Sequence, residues 1–253
     1  METRLRNLDW LHSVWRITAV NPFVHNYDPH LNKIIERHSA PFPESLAHRL
    51  IELYSKKGDT VLDPFAGSGT TNFMALSLFR KTVGYELEKK YVEMITKRCS
   101  WRARIYNKSC EKMDELIDNS IALCITSPPY LNLRKYSDNP SNIGNMKNPY
   151  PALKNVFTEV FRVLKPSGYF CLNVGNAPEN KGVATFPYDM VYLCKEIGFR
   201  FKNSIVWDKG VSLKEWNVQH KQILENHEYV WIFQKPEAKE NGTRQQTNSG
   251  NTD

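Results

Sequence analysis

Short apolar runs alternate with helix-spaced stretches along most of the chain. Residues 60–63 form a short β-type run that ends at a glycine-rich turn. Residues 71–80 then carry Phe73, Met74, Ser77 and Leu78 along one side, the spacing of a helix. The pattern repeats: residues 82–86 read as a strand, 89–99 as a helix, 103–106 as a strand and 111–117 as a short helix. Residues 121–126 are an apolar run, as expected for a strand buried on both faces. Phe157, Val160, Phe161 and Leu164 share one stripe of a helix over 152–164, and residues 169–174 return as a strand. Residues 188–197 give another helix, closed by Gly198, and 201–207 and 227–234 are the last two strands. Such alternation predicts an α/β, doubly wound, mainly parallel sheet. The two closing strands have no clear helix between them, so they predict an antiparallel hairpin at one edge. Near the start, Trp10, Leu11, Val14, Trp15 and Ile17 have helical spacing, which predicts a packed helix over 9–20.

Composition narrows the class. No stretch approaches the roughly 20 apolar residues of a membrane span. Residues 1–15 lack the long apolar core of a secretory signal, so a cytoplasmic protein with no membrane partner is expected. The five cysteines are odd in number and show no CxxC spacing, which argues against a disulfide framework or a thiolate zinc site. The histidines show no metal spacing either, so no metal is expected. Residues 236–253 hold only Ala238 from the apolar set and read as a disordered tail. That tail is slightly acidic, so the net charge of +7 belongs to the folded part. An excess of that sign suits a polyanionic partner.

Two segments carry candidate chemistry. Asp63-Pro64-Phe65-Ala66-Gly67-Ser68-Gly69-Thr70 lies between a strand and a helix. It is not a phosphate-binding Walker loop, because no Gly-Lys-Ser/Thr follows, and Asn72 stands where a dinucleotide fingerprint needs its third glycine. Glu86 ends the next strand, where a carboxylate can accept hydrogen bonds from ribose hydroxyls. Together they describe a nucleoside crevice with no demand for a pyrophosphate. The second segment, Thr126-Ser127-Pro128-Pro129-Tyr130, follows the buried strand. Its two prolines stiffen the exit and offer carbonyl acceptors without N–H donors. Ser127 can accept or donate, and Tyr130 presents a flat π-face. Acceptors beside a stacking plate suit an exocyclic amino group on a planar base.

These two motifs resemble those of the amino-group DNA methyltransferases that use S-adenosylmethionine. Arg37-His38-Ser39-Ala40-Pro41-Phe42-Pro43 is similar to the family's segment that caps the methionine part of the cofactor. The stretches 161–170 and 226–233 look like its later helix–strand pair and closing hairpin strand. The likeness covers residues 34–235 and implies a Rossmann-like methyltransferase fold with a mostly parallel seven-stranded sheet and one antiparallel edge strand. It implies a cofactor half over 31–100 and a catalytic half over 104–235, after an N-terminal extension over 1–30. This order is the reverse of that usual in such members, which points to a circular permutation near 100–104.

The resemblance implies cofactor contacts from His38, Ser39, Phe42, Asp63, Phe65, Ala66, Gly67, Ser68, Gly69, Thr70 and Glu86, with Ser109 and Cys110 after the third strand. Many relatives carry Gly-Asp where this chain has Lys108-Ser109, so Ser109 would accept the hydrogen bond that a carboxylate takes elsewhere. Ser127, Pro128, Pro129 and Tyr130 would be catalytic. Serine at the first position resembles the N4-cytosine members; the N6-adenine members carry Asp or Asn there. The expected substrate is a flipped cytosine in double-stranded DNA. An adenine, an RNA base, or a non-catalytic DNA-binding subunit are the alternatives. Arg134, Lys135 and Lys147 in the loop after Tyr130, with Lys209, Lys214 and Lys221 before the last strand, are the expected phosphate contacts. Little of the 253 residues remains for a separate recognition domain, so sequence reading is expected from these loops, from 1–30, or from a partner. A cognate restriction endonuclease or a second copy of the chain would be such a partner.

Overall fold

The structure is a computed structural model that describes residues 8–17, 43–129, 139–175, 178–179, 182–183, 185–210 and 227–237. After a 3-10 turn at Leu8–Leu11, the elements follow in order. They are β1 (Val14–Arg16), α1 (Glu44–Tyr54), β2 (Thr60–Asp63), α2 (Thr70–Ser77), β3 (Lys81–Tyr85), α3 (Lys89–Arg98), β4 (Arg104–Tyr106) and β5 (Ile121–Thr126). Then come α4 (Tyr150–Val163), β6 (Leu164–Gly175), β7 (Pro178–Glu179), β8 (Gly182–Val183), α5 (Phe186–Ile197), β9 (Arg200–Asp208) and β10 (His227–Gln234). The strands β7 and β8 pair only with each other.

The main sheet has eight strands in the order β1-β9-β10-β6-β5-β2-β3-β4. All neighbours are parallel except β10, which runs antiparallel to both β6 and β9. The mostly parallel sheet with an antiparallel hairpin towards one edge is therefore present. An eighth strand, β1, lies outside that hairpin and pairs with β9.

Alternation along the strands splits the core into two layers, as the two-residue period of a strand requires. On one face Val61, Leu123, Ile125, Cys171, Val230 and Ile232 pack against Leu46, Ala47, Leu50 and Ile51 of α1 and against Met74 and Ala75 of α2. On the other face Leu62, Cys124, Phe170, Leu172, Trp231 and Phe233 meet the apolar stripes of α4 and α5. A smaller layer joins Ile95 and Cys99 of α3 to Ala66 and Ile105. Helices on both faces explain why β5 is almost wholly buried.

Three segments depart from the sequence reading. The helix expected over 9–20 does not form among the described residues there. Trp15 and Ile17 are inward at 1% and 5% exposure while Val14 and Arg16 face solvent, so the segment follows a strand period instead. Residues 111–117 form turns rather than a helix. Their backbone groups are met from α4: the Met113 N–H donates to Glu159 Oε2 at 2.7 Å, and Arg162 donates to the carbonyls of Met113 and Leu116 at 2.9 and 3.0 Å. The third, α1, has no counterpart among the predicted elements, although Leu46, Ala47, Leu50 and Ile51 carry its helical signal. The expected disordered tail lies outside the described residues from 238 onward.

Phe170 is fully buried at the centre of the second layer, with ring centroids 5.3 Å from those of Phe157 and Phe199. Phe170→Ala should lower the unfolding free energy by about 3–5 kcal/mol in urea titration. A loss below about 1 kcal/mol would show that Phe170 is not packed at the centre of this layer.

Candidate functional site

The strand order changes direction between β2 and β5. Strands β3 and β4 extend from β2 on one side, whereas β6 extends from β5 on the other. Ligands of doubly wound sheets sit in the crevice beyond the carboxyl ends of the strands at this point. A cavity of about 1120 Å³, open solvent included, lies there.

Its first wall is the turn after β2. Gly67 and Gly69 have φ of 52° and 76°, the left-handed region that suits glycine. A Cβ on Gly69 would also meet Ile95 side-chain carbons at 2.8 Å. The turn is pinned from several sides. The Ala66 N–H donates to Tyr85 O at 3.0 Å and the Gly67 N–H to Glu86 Oε2 at 2.9 Å. Arg98 Nη1 donates to Ser68 O at 2.9 Å while Nη2 is paired with Glu44 Oε1 at 2.5 Å, both side chains being buried.

Asp63, 5% exposed, closes the floor. Its Oδ1 accepts from Thr126 Oγ1 at 2.7 Å and from the Phe65 N–H at 3.1 Å. Burial pushes its carboxyl up to about 6, against the lowering by these hydrogen bonds. Glu86 stands at the end of β3, with Oε1 taking the Glu88 N–H at 2.8 Å. Burial pushes this carboxyl up to about 7, and the backbone donors of Glu88 and Gly67 oppose the rise. One oxygen of Glu88, Oε1, is buried without a hydrogen-bond partner among the described residues.

The opposite wall is the arm after β5. Ser127, Pro128 and Pro129 line the cavity, with Pro128 buried and the others half-buried. The Ser127 Oγ receives Asn173 Nδ2 of β6 at 3.3 Å. Ser109 and Cys110 complete the cavity beyond β4. Ser109 Oγ accepts from the Glu111 N–H at 3.3 Å, and burial pushes the Cys110 thiol up.

The structure thus brings Asp63, Phe65, Ala66, Gly67, Ser68, Thr70, Glu86, Ser109, Cys110, Ser127, Pro128 and Pro129 to one cavity. Gly69 stands behind it as the N-cap of α2. Lys147 is exposed, and the ammonium of Lys209 is held by Glu228. Tyr130, His38, Ser39, Phe42, Arg134, Lys135, Lys214 and Lys221 lie outside the described residues. Glu88, Tyr91 and the Asn142–Ile143 pair also line the cavity without having been singled out from the sequence. Glu88 and Tyr91 had a signal, since they follow the acidic strand end at the start of α3. Asn142 and Ile143 lie in a polar loop where no motif marks them.

The acceptor set fits an adenosyl group. Carboxylates at the end of β3 suit ribose hydroxyls, Glu88 Oε1 is buried without a hydrogen-bond partner among the described residues, and Lys108 is the one basic side chain among the described lining residues. No group of three or more His, Cys, Asp or Glu that could hold a metal occurs among the described residues.

A family model for DNA methylases of the N6 and N4 amino class matches residues 2–97 and 121–252. The Type II methyltransferase M.MjaI of Methanocaldococcus jannaschii is 39% identical over 89 residues, which are 35% of this chain and 27% of that protein. M.BglI of Bacillus subtilis, also a Type II methyltransferase, is 46% identical over 78 residues, or 31% of this chain and 22% of its own. The chain therefore spans less than two thirds of the length of these relatives. TrmN from Thermus thermophilus has a TM-score of 0.56 at 18% identity, covering 81% of this chain and 52% of that one. A 1,6-didemethyltoxoflavin-N1-methyltransferase of Burkholderia thailandensis gives 0.53 at 15%, covering 81% and 82%. At these identities the structural likeness is one of fold.

The raised carboxyl of Glu86 has a consequence for stability. Its folded value lies above its ordinary 4.5, so the folded chain favours the protonated form. That stabilisation is full below pH 4.5 and is lost as pH rises through about 7. The ligand-free protein should lose up to about 1.4 kcal/mol per pH unit from this group within that window. Glu86→Gln should flatten this part of the pH profile of Tm, and an unchanged slope would refute the assignment.

Proposed function

The chain belongs to the DNA methylase family of amino-group methyltransferases, and on that premise we propose that it methylates the exocyclic N4 of a flipped cytosine in double-stranded DNA, with S-adenosylmethionine as donor. The observation that carries the reading is the continuity of one cavity from Glu86 to the Ser127–Pro129 arm. It gives a nucleoside end and an acceptor end a common space. The cofactor supplies a methyl group already activated on a sulfonium. Glu86 and Glu88 would hold its ribose, the Asp63–Thr70 turn its central part, and Ser109 and Cys110 its adenine side. His38, Ser39 and Phe42 would cap the methionine end.

The remaining work is alignment of the acceptor, worth several kcal/mol of barrier in well-oriented systems. The target base must leave the duplex, at a cost of a few kcal/mol. Tyr130 would stack on it. The Ser127 hydroxyl and the Pro128 carbonyl would accept from its amino group, which draws the nitrogen lone pair out of conjugation with the ring. No covalent base adduct is needed. Among the cysteines none follows a proline and all five are buried, which supports attack through nitrogen rather than ring carbon. Serine at position 127 is the support for cytosine over adenine. The cations Arg134, Lys135, Lys147, Lys209, Lys214 and Lys221 would steer the phosphate backbone, with a cognate nuclease or a second copy as partner.

Expression in a host free of DNA methylation, followed by sequencing with base-modification detection, should reveal N4-methylcytosine at a fixed site. N6-methyladenine would instead reassign the base, and unmodified DNA with methylated tRNA or rRNA would move the substrate to RNA. In the same assay Ser127→Ala and Tyr130→Ala should each reduce turnover roughly 10²-fold, the scale of a lost transition-state contact, while cofactor affinity measured by calorimetry stays within about threefold. Full turnover in both variants would sink the catalytic assignment.

A further inference from the structure

Helices α2 and α3 are each closed by a turn that carries an aromatic residue where glycine is the customary choice. Phe79 and Trp101 have φ of 63° and 61°, the left-handed region that bulky side chains rarely enter. The Phe79 N–H donates to Leu76 O at 3.1 Å and the Trp101 N–H to Thr96 O at 3.0 Å, which ends the two helices. Glycine would take this backbone without strain. Neither ring offsets the strain by burial, since Phe79 is 70% exposed and Trp101 78%. The Trp101 ring meets no other ring and no cation among the described residues. Strain held at exposed positions points to a use outside the fold.

The two turns share one end of the sheet. Val83 is opposite Arg104 in the β3–β4 register, which brings Lys81 level with Arg102. The loop after α1 joins them, because the Gly58 N–H donates to Phe79 O and the Lys81 N–H to Asp59 O, both at 2.8 Å. Arg80, 6% exposed, braces this corner by donating to Ser55 O at 2.9 Å and Leu78 O at 2.7 Å. Lys57, Lys81, Arg102 and Arg104 are exposed here, and none is ion-paired among the described residues. Lys57 Nζ lies 5.1 Å from the Phe79 ring centroid, so an ammonium stands beside a ring. The one carboxylate within 56–59, 79–81 and 99–104 is Asp59, whose Oδ2 accepts from the Lys56 N–H at 2.7 Å. The five residues of β3 separate this corner from the cavity by about 15 Å.

Exposed flat rings interleaved with unpaired cations suit a single nucleic-acid strand, whose bases stack on the rings while its phosphates meet the cations. A duplex hides its base faces and would give the rings nothing to cover. A protein partner fits less well, because lysine is depleted in protein–protein interfaces. The family of the chain acts on DNA, which favours a DNA strand. We propose that the amino-terminal edge of β2, β3 and β4 is a docking surface for single-stranded DNA, with bases on Phe79 and Trp101 and phosphates against Lys57, Lys81, Arg102 and Arg104. This goes beyond the methyl-transfer reading and does not depend on which base the cavity takes.

The test uses the full chain and a short fluorescein-labelled oligothymidylate, followed by anisotropy at two salt concentrations. A duplex, an oligouridylate of equal length and polyglutamate are the further probes. Phe79→Gly and Trp101→Gly should each weaken oligothymidylate binding roughly 5- to 100-fold, the worth of one stacked base. Their urea midpoints should equal or exceed that of the parent, because glycine relieves the left-handed backbone. Residues that served the fold alone would not separate binding from stability in this way. Lys81→Glu combined with Arg102→Glu should weaken binding and flatten its salt dependence. Should either glycine variant unfold, Phe79→Asn and Trp101→Asn, which also suit this backbone, replace them in the same measurement. Failure of oligothymidylate to bind the parent, or equal binding by the parent and both ring variants, overturns the proposal. So does a duplex, an oligouridylate or polyglutamate that binds the parent more tightly than oligothymidylate and loses that affinity in Trp101→Gly, which would assign the surface to that partner. The readout is binding at an edge apart from the cavity, so absence of methyl transfer would leave this result standing.

Discussion

Asp63 and Thr126 stand side by side at the carboxyl ends of β2 and β5, and a 2.7 Å hydrogen bond joins them. These are the neighbouring strands at which the sheet order reverses. The glycine turn leaves from Asp63 and the proline arm leaves from Thr126, so one buried contact sets the separation of the two cavity walls. Burying a carboxyl in this place is unfavourable, as its raised proton affinity shows. The Thr126 hydroxyl and the Phe65 N–H offset much of that cost. An apolar pair at these positions could fill the same volume, but it would tie neither the turn nor the arm to the sheet.

Two further polar clusters extend this restraint. On the cofactor side, the Arg98–Glu44 pair is almost fully buried and Arg98 also grips the Ser68 carbonyl. It couples the N-terminus of α1, the turn and the C-terminus of α3. Removing one member would strand a buried charge, a far larger penalty than the net value of the pair itself. On the acceptor side, Asn173 and Glu228 reach Ser127 from behind. Both clusters act on backbone or side-chain positions at the cavity wall from outside it. The rigidity of the crevice therefore resides in residues that no ligand needs to touch.

This division explains what could be read from the sequence. Asp63 to Thr70 and Thr126 to Tyr130 are contiguous, and their glycines and prolines have local backbone reasons to be there. The strands β5 and β10 were legible because apolar runs of five residues bounded by polar punctuation have few other interpretations. By contrast, Arg98 and Glu44 are 54 positions apart, and Asn173 and Glu228 are 55 apart. Nothing local marks such pairs, because their meaning arises only when the sheet brings them together. The error over residues 9–20 has a similar origin. Trp10, Leu11, Val14, Trp15 and Ile17 satisfy helical spacing on paper, but Trp15 and Ile17 alone satisfy the strand period that docking on β9 requires. A free edge on the sheet, which no local pattern reveals, decides between the two.

The charge of the chain takes on a different meaning beside the lining of the cavity. The whole sequence is basic at +7, yet the cavity wall carries Asp63, Glu86 and Glu88. Lys108, which also lines it, has its ammonium 2.9 Å from Glu115 and so is already balanced. Acids inside and a basic excess elsewhere are what two ligands of opposite charge would require. S-adenosylmethionine bears a sulfonium and an ammonium, which acidic walls accommodate in a site of reduced dielectric. Under the proposed function, a backbone phosphate would be drawn to basic side chains outside the cavity while a neutral base enters it. Such an arrangement would, under that function, sort the parts of the two ligands before any specific contact is made. Under the same reading, sequence selectivity would fall to the rim, since neither acidic walls nor a net positive charge distinguishes one base sequence from another.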